Sequence, residues 1–220
     1  MELEKKFTES LWLGIRDIYE NVFECDFIKE LVQGTLSRDI FCNYLIQDDL
    51  YLKDDIKAFS KLAQRLNDKE KDEGEFFKKM CNDCIAIEQF MHDYYEKKYD
   101  IDLADKKIPV IEQYTNHIVT IAENEAIEVA QAALLPCYWV YNSMGKRIYN
   151  DYKKEKKNDN NPYKEWIETY NNDSYDTYTN KFIQIVEDSA SIVDNKTRKK
   201  MYDAFYKSTV FELRFFKEIY

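Results

Sequence analysis

Three side chains that can do chemistry sit where helical hydrophobic periodicity asks for apolar residues. One stripe reads Phe41, Leu45, Asp48, Leu52, Ile56, Phe59; a second reads Ala130, Leu134, Cys137, Tyr141, Met144, Ile148; a third reads Phe205, Ser208, Glu212, Phe215, Ile219. An unpaired buried charge is expensive, so polar groups inside such stripes need a reason. A thiol can attack an electrophilic carbon, and a carboxyl in apolar surroundings can give and take protons. Two readings stay open on these residues alone. Either Asp48 and Glu212 bond to tyrosine hydroxyls within a core and Cys137 is a small buried hydrophobe, or the three converge, with Tyr51 and Tyr141, on a pocket between helices that takes a small molecule.

Other constellations are weaker. Cys81 and Cys84 form a CxxC at helical spacing, but there is no second pair to close a zinc site, and the pair lies mid-helix rather than at the helix start that a redox dithiol wants. Packing, with one thiol partly exposed, is the expected role. The chain has 2 histidines, His92 and His117, neither preceded by a glutamate three residues earlier, so the paired Glu-x-x-His elements of a di-iron bundle are missing. No Ser–His–acid set can be placed. No metal and no organic cofactor is expected. His92 follows Glu88 by one turn and could bond with it.

These residues must be positioned by long helices. With Gly 4 and Pro 3 in 220 residues, little punctuates strands or builds a glycine-rich phosphate loop. The fold class is therefore all-α, in a single domain spanning 1–220. The opening repeat Leu3, Phe7, Leu11, Ile15, Tyr19 reads as an amphipathic helix, and a short helix around Phe27–Val32 should stop near Gly34. Ser37 can cap a long helix to about Leu66, with the break at Asn67–Asp68. The next runs from about Glu70 to Tyr99, with Phe77, Met80, Cys84, Ile87 and Met91 inward. After the loop DIDLADKKI, Pro109 starts a helix reaching Ala122. Asn124 is expected to cap the most apolar helix, about 125–152, which Pro136 should kink. DYKKEKKNDNNP reads as a loop. A brief helix carries Trp166 and Tyr170, Asn171–Asn172–Asp173 breaks it, and helices at about 175–192 and 197–220 follow.

The net charge of −10, from 42 acidic against 32 basic residues, disfavours general binding to a phosphate backbone, so no nucleic-acid partner is expected. MELEKKF does not resemble a signal peptide, and no window approaches the roughly 18 apolar residues a membrane span needs. The 5 cysteines are then expected to be free thiols in a reducing cytoplasm, with no membrane partner.

At ALLPCYWVY, residues 133–141, the chain resembles the TenA family, the thiaminase II enzymes of thiamin metabolism. LIQDDLYL at 45–52, QYTNHI at 113–118, NPYKEWIETY at 161–170 and FELRFF at 211–216 are similar to further family segments, in order and over nearly the whole chain. One departure is Asp49–Leu50, where a small-then-aromatic pair is common. The resemblance implies a haem-oxygenase-like helical bundle without haem, assembled as a homotetramer. It also implies hydrolysis of 4-amino-5-aminomethyl-2-methylpyrimidine to the 5-hydroxymethyl pyrimidine and ammonia, a salvage reaction, with cleavage of thiamin itself as a further activity. Carried over residue by residue, the nucleophile falls on Cys137 and the catalytic glutamate on Glu212. The aspartate that binds the aminopyrimidine falls on Asp48, and the aromatic pocket on Tyr51, Tyr114, Tyr141, Tyr170 and Phe215. His92 falls near a pocket-wall position. The competing reading is a helical regulatory protein that binds a pyrimidine or thiamin without catalysis.

Overall fold

The computed structural model describes residues 6–67, 71–102, 106–154 and 160–220. All regular structure among them is α-helical. In chain order the helices are α1 (Phe7–Phe23), α2 (Asp26–Gln33), α3 (Arg38–Asn67), α4 (Lys71–Tyr99), α5 (Pro109–Asn124), α6 (Ile127–Lys154), α7 (Lys164–Thr169), α8 (Asp173–Ile192) and α9 (Asn195–Glu218). Leu3, Asp68, Glu70 and parts of the two expected loops, 103–105 and 155–159, lie outside the described residues.

The helix ends follow local chemistry. Gly34 closes α2 in the left-handed region at φ 72°, which a side chain would strain, and Thr35 N–H returns to Glu30 O at 2.9 Å. Pro109 opens α5, as its fixed φ and missing N–H suit a first turn. Asn172 and Asp194 cap α8 and α9 by accepting from Ser174 N and Thr197 N. Asn124 does not cap α6. It is the last residue of α5, and its amide donates to Thr120 O at 3.0 Å, while α6 begins only at Ile127. α6 continues through Pro136 to Lys154, past the start of the expected loop.

α6 occupies the centre, packed against α9, α8, α5 and α3. α3 lies between α4 and α5, and two of its side chains clamp both ends of α5. Gln47 accepts from Ile108 N at 2.8 Å and donates to Lys106 O at 3.1 Å, while Arg65 donates to Ala122 O at 2.7 Å and Glu125 O at 2.6 Å. These bonds satisfy helix-end groups and fix the height at which α5 presents its side chains to α3. Among the described residues no helix is long and apolar enough to cross a membrane.

The inward faces differ from the expected stripes at two points. On α3 Asp55, with no exposed surface, faces inward and Ile56 is only half-buried. On α4 it is Glu88 that is buried, with Ile87 at the margin. Cys81 and Cys84 are both buried, so neither thiol of the CxxC is partly exposed.

Candidate active site

A narrow cavity opens where α3, α4, α5, α6 and α9 meet, closed at one side by Tyr170 at the end of α7. Asp48, Tyr51 and Leu52 reach it from α3, Cys137 and Tyr141 from α6, Glu212 and Phe215 from α9. Ile111 and Tyr114 come from α5 and Glu88 from α4. The sequence-derived residues are therefore brought together, with one exception: His92 stands behind the wall, its Nε2 paired with Asp48 Oδ2 at 3.1 Å. It does not bond to Glu88, one turn earlier on its own helix; that carboxylate accepts from the Tyr175 hydroxyl at 3.3 Å.

Close packing sets the cavity walls. Ser208 donates to Ala133 O at 2.7 Å, one turn before both Glu212 and Cys137, and so registers α9 against α6. Gly145 lets the end of α7 approach α6, since a Cβ there would lie 2.5 Å from Tyr170 Cβ and 2.7 Å from its carbonyl oxygen. Tyr141 and Tyr170 meet with ring centroids 5.1 Å apart, and Tyr51 and Tyr114 at 4.9 Å. Both aromatic pairs line the cavity.

The electrostatics are those of crowded, buried acids. Burial pushes the Glu212 carboxyl up to about 8, opposed by the Tyr114 hydroxyl at 2.6 Å and reinforced by Asp48 and Asp55. Glu88 is raised by burial and by Asp48 and Asp55. For His92 burial works downward as the largest single effect, but its bond to Asp48 and the charges of Asp48, Asp49 and Glu96 together outweigh it and the net direction is up. The Cys137 thiol is raised well above the ordinary range by burial and by the charges of Asp55, Glu212 and Glu88. A resting thiolate is therefore not what this environment favours, in contrast to cysteines activated by cationic neighbours.

Glu88 and Asp55 were not singled out from the sequence, nor were Leu52 and Ile111. Among the described residues no group of three or more His, Cys, Asp and Glu side chains is arranged to hold a metal ion.

This is a helical bundle of the haem-oxygenase-like class: the chain superposes on haem oxygenase from Leptospira interrogans with TM-score 0.67 at 10% identity, covering 97% of this chain and 100% of that one. It superposes more closely on a TenA homologue from P. horikoshii OT3, with TM-score 0.83 at 22% identity and 98% of each chain covered. The chain belongs to the TENA/THI-4/PQQC family, whose model matches residues 12–220. It is 27% identical over 216 residues to a thiamine biosynthesis multifunctional protein of Corynebacterium efficiens, covering 96% of this chain but spanning only 28% of that protein's length. It is 24% identical over 220 residues to an aminopyrimidine aminohydrolase of Halalkalibacterium halodurans, covering 97% of this chain and 95% of that one.

Proposed function

We propose that this chain, acting as one domain over residues 1–220, is an aminopyrimidine aminohydrolase of the thiaminase II type. Its substrate is 4-amino-5-aminomethyl-2-methylpyrimidine, converted to the 5-hydroxymethyl compound and ammonia; cleavage of thiamin to the same alcohol and the thiazole is the second activity. The observation that carries the reading is the convergence of Cys137, Glu212 and Asp48, from α6, α9 and α3, on one aromatic-walled cavity. The near-full-length match to a relative named for that activity supports it. The reaction is assigned to salvage in the cytoplasm, by a homotetramer.

The chemistry assigned to these residues is covalent. Asp48, steadied by His92, accepts from the ring amino group and orients the pyrimidine over the thiol. The Cys137 sulfur adds to the ring, breaking its aromaticity and driving electrons toward the exocyclic C–N bond. Glu212, which holds its proton near neutrality, gives it to the departing amine and then takes one from the water that adds to the exposed methylene. Expulsion of sulfur restores the ring.

The test is incubation of the purified protein with the aminomethyl pyrimidine, measuring ammonia and the hydroxymethyl product. Equal amounts of both are expected. Saturable binding with no ammonia would leave a pyrimidine-binding protein and refute the hydrolase.

A further inference from the structure

Asp55 is a buried charged group that the chemistry above does not use. It lies two turns after Asp48 on α3, behind the cavity wall rather than in it. Its two oxygens accept from two tyrosines: Tyr51 Oη donates to Oδ1 at 3.4 Å and Tyr138 Oη to Oδ2 at 3.4 Å. Tyr51 and Cys137 line the same cavity, and the influence of the Tyr51 hydroxyl on the thiol favours the ionised sulfur. Thiol, phenol and carboxylate therefore follow one another from the cavity inward. Among the acids around Cys137, Asp55 bears on the sulfur most strongly, ahead of Glu212 and Glu88.

The other titratable groups near Asp55 are few. Asp48 lies on its own helix, and Cys81, Cys84 and Glu88 face it from α4. Tyr175 on α8 and Glu212 on α9 complete its surroundings. Among the described residues, none that lines the cavity is a lysine or arginine that could hold a thiolate by charge.

We propose that Asp55, acting through Tyr51, accepts the proton that Cys137 must lose, and so is a positioning residue for activation of the nucleophile. As sulfur forms its bond to the electrophilic carbon, the S–H proton passes to the Tyr51 oxygen. The phenolic proton passes in turn to Asp55 Oδ1, leaving tyrosine neutral and the carboxylate protonated. When sulfur leaves with the C–S electron pair, the proton returns by the same path. Burial, opposed by the two tyrosine bonds and reinforced by Asp48, places the Asp55 carboxyl at about 7, so near neutrality a substantial fraction is ready to accept. The inference rests on the hydrolase reading only for the identity of the carbon attacked.

The test is alkylation of Cys137 in the full chain by iodoacetamide, followed at that residue by peptide mass spectrometry across pH 6–9, for wild type, Asp55→Asn, Tyr51→Phe and the double variant. As a neighbouring charge alone, Asp55 disfavours the thiolate, so its removal would speed alkylation. As proton acceptor, its removal slows the reaction, by about tenfold or more at pH 7, and displaces the rising limb to higher pH. The double variant should be no slower than the slower single one. Faster or unchanged alkylation in Asp55→Asn, or multiplicative losses in the double variant, overturns the proposal. If Asp55→Asn does not fold by circular dichroism, Asp55→Ser makes the same comparison, since it too removes the charge and the proton acceptor while leaving Tyr51 in place. Alkylation needs no pyrimidine, so a wild type that releases no ammonia yet alkylates through Asp55 would sink the hydrolase and leave the relay intact.

Discussion

The Tyr114 hydroxyl donates to Glu212 Oε1 across 2.6 Å, tying the carboxyl that α9 offers to the cavity to a side chain of α5. Because α5 is clamped at both ends by α3, the bond fixes Glu212 relative to Asp48 as well.

Glu212→Gln keeps that geometry but cannot transfer a proton. The expected result is a fall in kcat of about 10² or more with little change in KM. Stability supplies an independent check. With its carboxyl at about 8 in the folded chain and in the ordinary carboxylate range when unfolded, Glu212 retains a proton on folding between those two values. The folded state then binds more protons, so its contribution is present at low pH and is lost as pH rises through about 8. Glu212→Gln should match wild type in Tm at pH 5 and exceed it by roughly 5 °C at pH 9. The same offset at both pH values would show that this group does not titrate as argued.

Cys137→Ser nearly conserves volume and should leave the helical signal and melting profile intact. Loss of a covalent nucleophile should lower turnover by about 10² or more. Rates within threefold of wild type would remove Cys137 from the chemistry.

Asp48→Asn should chiefly weaken pyrimidine binding, since an amide can present a donor to the ring amino group. His92→Leu should act in the same direction through Asp48, which would lose its buried partner. An increase in KM of about tenfold is expected for each, as for a hydrogen bond to a charged group, and the two effects should not add. A fall in kcat alone would refute an anchoring role.

Gly145→Ala drives a methyl group into the backbone and Cβ of Tyr170, neither of which is the yielding end of a side chain. A loss of about 1–3 kcal/mol is expected from chemical denaturation, together with a raised KM, since Tyr170 lines the cavity. Unchanged stability would mean that α7 can shift freely on α6.

For assembly, light scattering should give about 106 kDa, four copies of the 26.5 kDa chain. A monodisperse monomer at micromolar concentration would refute the tetramer.

Much of this site was legible because helix periodicity is strict. Asp48, Cys137 and Glu212 stand out in apolar stripes, and all three reach the cavity. Asp55 was passed over because the α3 stripe was continued to Ile56. At about 100° per residue, a residue seven positions on returns to within about 20° of Asp48, whereas one eight positions on stands about 80° away. Reading the row at that spacing would have exposed Asp55. Glu88 was lost in the same way to Ile87. The pairing of His92 with Asp48 joins α3 to α4 across 44 positions, and no local pattern carries such a contact. Asn124 was misread because an asparagine between two helices can end one as readily as it begins the next.

The crowding of acids in the cavity has one more consequence. Burial favours the protonated form of Glu212 and Glu88, and among the described residues no cavity-lining side chain is basic. A molecule that brings a positive charge can release one of those protons and leave the charge of the pocket unchanged, as on a cation-exchange resin. An anion has no such exchange to make. If the proposed function holds, this exchange would favour a ring that carries an aminomethyl or thiazolium group over the same ring once it carries a phosphate.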